Sequence, residues 1–76
     1  MNATQTASTI FVNGETRPLP HPGTTLEQFL KTMDVDAQTS GIAVAVNDEV
    51  IRRQAWAGTT LEANDHIEIV TAKQGG

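Results

Sequence analysis

One helical stripe runs through this chain, and every other apolar segment reads as strand. Leu26, Phe29, Leu30 and Met33 recur at i, i+3, i+4 and i+7, which puts four apolar side chains on one face of an α-helix. Thr24 and Glu27 stand at capping-box spacing at its start, and Asp34-Val35-Asp36 supplies its end. A lone amphipathic helix has no second helix to bury against, so a sheet must cover its face. The flanking segments supply one.

Thr9-Ile10-Phe11-Val12 reads as a strand, and Asn13-Gly14 after it is the strongest short hairpin signal, because both residues tolerate positive φ. Glu15 to Leu19 returns as the partner strand. Pro18, Pro20 and Pro22 lack the donor a ladder needs, so that strand is short and lies near an edge. Beyond the helix and the polar connection 37–41, Ile42 to Val46 forms a strand that turns at Asn47-Asp48 into a short one at Glu49-Val50-Ile51. Arg52 to Gly58 carries Trp56 in an irregular or single-turn helical stretch. Leu61 is an isolated apolar anchor. Asn64-Asp65 turns into the last strand, His66 to Thr71. Two hairpins flanking one helix make an α+β chain, a mixed sheet of about five strands with the helix across one face: a β-grasp, or ubiquitin-like, roll. Residues 1–8 are expected to be a polar leader, 9–72 the domain and 73–76 a tail.

Seventy-six residues make one small domain, which buries only about 60% of its unfolded surface. Three aromatics (Phe11, Phe29, Trp56) leave no core to spare for a deep catalytic pocket, so an enzyme acting alone is not expected. There is no cysteine, which rules out disulfides, thiolate metal sites and a thiol nucleophile. A net charge of −4 argues against nucleic acid as a partner. The leader has no basic start and no apolar stretch, and the longest apolar run, Ile42 to Val46, is far too short to span a membrane. The expected location is cytoplasmic.

Gly75-Gly76 come only a few residues after the last strand. Two residues without Cβ take conformations closed to others and can thread a narrow channel, which would make the final carboxylate a reactive group. A frayed, functionless tail is the competing reading, and the ending alone does not separate the two.

The order of residues resembles a known family. Val12-Asn13-Gly14-Glu15, Gly23-Thr24-Thr25-Leu26, Val44 to Ile51, Arg53, Trp56, Asn64 to Val70 and Gln74-Gly75-Gly76 together look like the thiamine-biosynthesis sulfur carriers, the ThiS branch of the ThiS/MoaD-like ubiquitin-like proteins. The likeness runs from about Thr9 to Gly76. It departs at Asp48 and Asn64, where the family commonly has glycine, but both residues tolerate the left-handed backbone.

The resemblance implies a protein co-substrate rather than a catalyst. A ubiquitin-activating-type adenylating enzyme, using ATP and magnesium, converts the terminal carboxylate of Gly76 to an acyl-adenylate. Sulfur from a persulfide donor then displaces AMP to leave a thiocarboxylate, which thiazole synthase uses to build the thiazole of thiamine. Gly76 would bear the activated group, Gly75 would keep the approach slim, and Gln74 with Lys73 would set the reach. No cofactor is expected on the protein itself. Met1 and Met33 are thioethers and cannot carry transferable sulfur.

Partners must also grip the body. Strand alternation turns Ile10, Val12, Val44, Val46, Ile67 and Ile69 toward the helix and Phe11, Ala43, Ala45 and Val70 to the open face of the sheet, where an apolar patch is a docking candidate. Phe11 covered by the leader or by a loop is the bland alternative. His21 and His66 have no metal-ligand spacing and read as solvated. Trp56 reads as a core or lid anchor; Arg53 as a local ion pair or a partner contact. Asp34, Asp36, Asp48 and Glu49 read as a solvated face with no acid–base spacing. Two other functions use the same features, the small subunit of a molybdopterin synthase and a ubiquitin-like modifier; a passive interaction module is a further alternative that leaves the bare terminus without purpose. Lys31 and Lys73 alone give little scope for chain building on a modifier.

Overall fold

The computed structural model describes residues 8–35 and 38–71. Apart from Ser8, the expected leader and the tail lie outside that range, as does Asp36. The described elements run β1 (Thr9–Val12), β2 (Glu15–Pro18), α1 (Leu26–Lys31), β3 (Ile42–Val46), β4 (Glu49–Val50), a 3₁₀ helix (Arg53–Gly58) and β5 (His66–Thr71). The sheet order is β2-β1-β5-β3-β4. β1 and β5 pair in parallel and the other neighbours antiparallel, so the sheet is mixed and its last strand in sequence is the middle one. This is the α+β, β-grasp architecture expected.

The core obeys the alternation. Ile10, Val12, Val44 and Ile67 from the sheet meet Leu26, Phe29 and Leu30 of α1, with Trp56 and Leu61 closing the side; all are buried. Met33, Val46 and Ile69 pack against this cluster partly exposed. Trp56 is 1% exposed and its indole Nε1 donates to the Ile51 carbonyl at 2.9 Å, so it is a core anchor. The Arg53 guanidinium lies 5.4 Å from the centre of the Trp56 ring and donates from Nη2 to the Ile42 carbonyl at 3.2 Å.

The turns take the backbone their residues permit. Asn13 and Gly14 have φ of 51° and 85°, and Asn47 and Asp48 of 52° and 71°, the doubly left-handed pair that a two-residue hairpin needs. Asn64 also lies at 71°. Asp48 and Asn64 therefore do hold the conformation that glycine would fill at those places.

The helix start differs from expectation by one residue. Thr25, not Thr24, is the cap: its hydroxyl accepts from the Gln28 N–H at 3.1 Å, and Gln28 Oε1 accepts from the Thr25 N–H at 3.0 Å. Thr24 is buried and already committed. Its hydroxyl donates to the His21 carbonyl at 2.7 Å, and its carbonyl accepts from the Leu61 N–H at 2.9 Å. The helix also stops at Lys31, so Met33 extends the apolar stripe from a closing turn. Asp34, at φ 64°, allows Val35 N–H to reach the Leu30 carbonyl and Asp34 N–H that of Lys31, the paired closure of a Schellman end. Thr25→Ala should lower stability by about 1 kcal/mol, a fall in Tm of roughly 4–8 °C for a domain of this size. Thermal unfolding monitored by circular dichroism checks it, and an unchanged Tm would remove Thr25 from the cap.

Candidate functional site

Two features point toward the end of the chain. One is the path of β5; the other is the open face of the sheet. Gln74, Gly75 and Gly76 lie outside the described residues, so the chain is traced as far as Thr71.

β5 is held on both sides. Along β3 the antiparallel register runs without a break from Val46–Ile67 to Ile42–Thr71. Along β1 only Phe11–His66 and Val12–Ile67 are paired, because the chain turns back at Asn13-Gly14. Asn13 continues the ladder by other means. Its own N–H donates to the Ile67 carbonyl at 2.9 Å, and its side-chain Oδ1 accepts from the Ile69 N–H at 2.8 Å while Nδ2 donates to the Ile69 carbonyl at 3.4 Å. Asn47 does the corresponding work at the start of β5, where Oδ1 accepts from the His66 N–H at 2.9 Å and Nδ2 donates to Asp65 Oδ1 at 3.0 Å. The hairpin signals in the sequence explain the φ values of these asparagines. They carry no hint of the side-chain bonds, two of which span 56 residues.

The open face gathers the expected docking residues. Ala43 faces Val70 across the β3–β5 ladder, Ala45 faces Glu68, and Phe11 lies beside His66. Ala43 is exposed, Val70 is 58% exposed, and Phe11 and Ala45 are half-buried. Phe11 is covered in part by the His66 ring, stacked at 4.6 Å between centroids and 22° between planes. His66 is thus exposed yet engaged, a contact with no local signal in the sequence. Val50, opposite Ala45, joins this face and is 70% exposed. Sequence reasoning misses it, because a two-residue strand is too short for alternation to assign a side. Val50 and Val70 are the large hydrophobic residues left exposed among the described residues.

A cleft of about 310 Å³ at the edge of this face is lined by Asn47, Asp48, His66 and Glu68. That volume is at the low end for small-molecule sites, and this cleft lacks the apolar walls they usually have. Among the described residues no three histidine, aspartate or glutamate side chains converge as a metal site. His21, in its proline loop, has Nδ1 3.0 Å from the Pro22 carbonyl oxygen. Asp34, Asp48 and Glu49 are exposed. Among the described residues no helix is long and apolar enough to cross a membrane.

Comparison with known proteins agrees with this architecture. A model of the ThiS family matches residues 10–76. The sulfur carrier protein ThiS of Thermus thermophilus is 36% identical over 67 residues, which are 88% of this chain and 98% of that protein. The crystal structure of the thiamine biosynthesis protein ThiS from Geobacter metallireducens superposes with a TM-score of 0.74 at 28% identity, covering 90% of this chain and 99% of that one.

Proposed function

The chain belongs to the ThiS family, and from that membership we propose that it is a sulfur carrier for thiamine biosynthesis, loaded on the carboxylate of Gly76. The observation that carries this reading is the extent of the family match, which runs through Gly75-Gly76. Chemistry supports it. A carboxylate is a poor electrophile until an oxygen is made a leaving group. In the adenylating enzyme, Gly76 oxygen attacks the α-phosphorus of ATP and pyrophosphate leaves, with magnesium offsetting the phosphate charge. The terminal sulfur of a persulfide then attacks the acyl carbon and AMP departs, giving an acyl disulfide. A second thiol cleaves the S–S bond and leaves the thiocarboxylate. Thiazole synthase accepts that sulfur. This reading places the protein in the cytoplasm, with ATP at hand.

The scaffold's part is delivery. Gly76 is the fifth residue after Thr71, a reach of at most about 18 Å when extended. Gly75 and Gln74 thread the enzyme's channel, while Phe11, Ala43, Ala45, Val50 and Val70 dock the body on the adenylating enzyme. Val70 of the docking face lies on β5, the strand that precedes the tail in the chain.

Val70→Asp should raise KM for the carrier in adenylation roughly tenfold or more and leave kcat near wild type, because it removes binding made equally in ground and transition states. Its Tm should hardly move, given the exposure of Val70. An unchanged KM would remove this face from the interface.

Incubation with the cognate adenylating enzyme, ATP and a persulfide donor, and then with thiazole synthase and its other substrates, tests the whole sequence. Carrier-dependent pyrophosphate exchange and thiazole formation are expected. Absence of exchange would overturn the carrier reading; exchange and sulfur loading without thiazole would move the protein to the molybdopterin branch.

A further inference from the structure

We propose that Asn13 is a positioning residue for the reactive tail: its side-chain amide, clamped on both backbone groups of Ile69, sets the line along which the chain leaves the sheet. The proposal rests on the carrier reading above and adds a residue to it that touches neither enzyme nor reacting atoms.

The geometry is specific. β1 has no residue to offer Ile69, because Gly14 at φ 85° has already turned the chain away. The Asn13 amide replaces the missing strand, accepting from Ile69 N–H at 2.8 Å and donating to its carbonyl at 3.4 Å. A primary amide presents an acceptor oxygen and N–H donors in one plane, which covers the one donor and one acceptor that a strand neighbour presents. β5 is thereby flanked on both sides at Ile69, by Asn13 and by Val44 of β3. Past that point the described pairing is one-sided, through Ala43–Val70 and Ile42–Thr71. Ile69 is the last residue of β5 flanked on both sides among the described residues: its own N–H and carbonyl go to Asn13, and Val44 lies opposite it on β3. The amide is exposed, so its contribution to global stability is small; what it is proposed to set is the direction in which β5 presents the segment that bears the reactive end. Misplacing a reacting group by about 1 Å can cost on the order of a hundredfold in rate.

Asn13→Gly isolates this role. Glycine keeps the left-handed turn at no steric cost and deletes only the amide. Asn13→Asp retains the acceptor for Ile69 N–H and loses the donor. Both are compared with wild type for amide hydrogen exchange and for steady-state adenylation by the cognate enzyme. In Asn13→Gly the Ile69 amide should exchange faster, and kcat should fall roughly tenfold while KM stays within about twofold, since the docking face is intact. Asn13→Asp should recover part of kcat. Asn47→Gly, which removes the matching amide at the other end of β5, should speed exchange at His66 and leave Ile69 protected.

Faster Ile69 exchange with unchanged kcat would overturn the proposal and leave Asn13 as a strand pin. Unchanged Ile69 exchange would overturn it at the first step, as would a rise in KM alone, which would make Asn13 part of the docking face. Wild-type protein that the enzyme does not adenylate would overturn the carrier reading, and this proposal with it. Adenylated wild type with an equally competent Asn13→Gly sinks the positioning role alone.

Discussion

Gly76→Ala is expected to fold like the wild type and to lose most of its sulfur loading. Among the described residues the buried cluster is built between Ile10 and Ile67 and β5 is paired along its whole length to Thr71, so that core and sheet do not draw on the substituted residue. Its cost falls in the partner. A channel shaped for a chain without Cβ must shift or compress to admit a methyl group, and overpacking of that order costs about 1–3 kcal/mol. Applied to the activated complex, this slows adenylate formation roughly ten- to hundredfold. Docking through the open face is untouched, so KM should change far less than kcat. Intact-protein mass spectrometry after a fixed incubation reads the loading directly. Wild-type loading of the alanine variant would remove Gly76 from its role.

Trp56→Ala is the second large expectation, and it concerns the fold. Trp56 is buried between α1 and the sheet's flank, hydrogen-bonded to Ile51 and capped by the Arg53 guanidinium. Truncating a buried tryptophan costs about 3–5 kcal/mol. A domain of 76 residues has only about 4–11 kcal/mol in total at the usual stability per residue. The alanine variant should therefore be unfolded or close to it at 37 °C, and loading should fail for want of a body to dock. Trp56→Phe keeps most of the ring and orphans the Ile51 carbonyl, a loss of about 1–3 kcal/mol. It should fold with a lower urea midpoint. Urea titrations monitored by circular dichroism separate the two. A cooperative, near-wild-type transition for Trp56→Ala would mean that the indole is not what closes the core.

Much of the architecture was legible in the sequence because its determinants are local. The i, i+3, i+4 spacing of Leu26, Phe29 and Leu30 specified the helix face, and Asn13-Gly14 and Asn47-Asp48 marked both hairpins through their tolerance of positive φ. Period-two alternation alone sorted Ile10, Val12, Val44 and Ile67 from Phe11, Ala43 and Val70. What escaped was decided at long range. Thr24/Glu27 and Thr25/Gln28 have the same capping spacing. The second pair wins because Leu61 and Thr59 bind the backbone on either side of Thr25, pinning Thr24 in the loop. The His66–Phe11 stack arises from the parallel β1–β5 register, which no local pattern encodes. The Asn13 amide on Ile69 is likewise invisible in a turn motif. As for the tail, its residues were legible as chemistry, while their path lies outside the described residues.

The most direct measurement is the position of the sulfur. The protein is incubated with its adenylating enzyme, ATP and a persulfide donor, then digested, and the peptide containing Gly75-Gly76 is fragmented in the mass spectrometer. The predicted result is one oxygen replaced by sulfur at the carboxyl group of Gly76 and nowhere else. Sulfur on any other residue, or an unmodified carboxylate in a protein that still supports thiazole formation, would contradict the carrier role at its root.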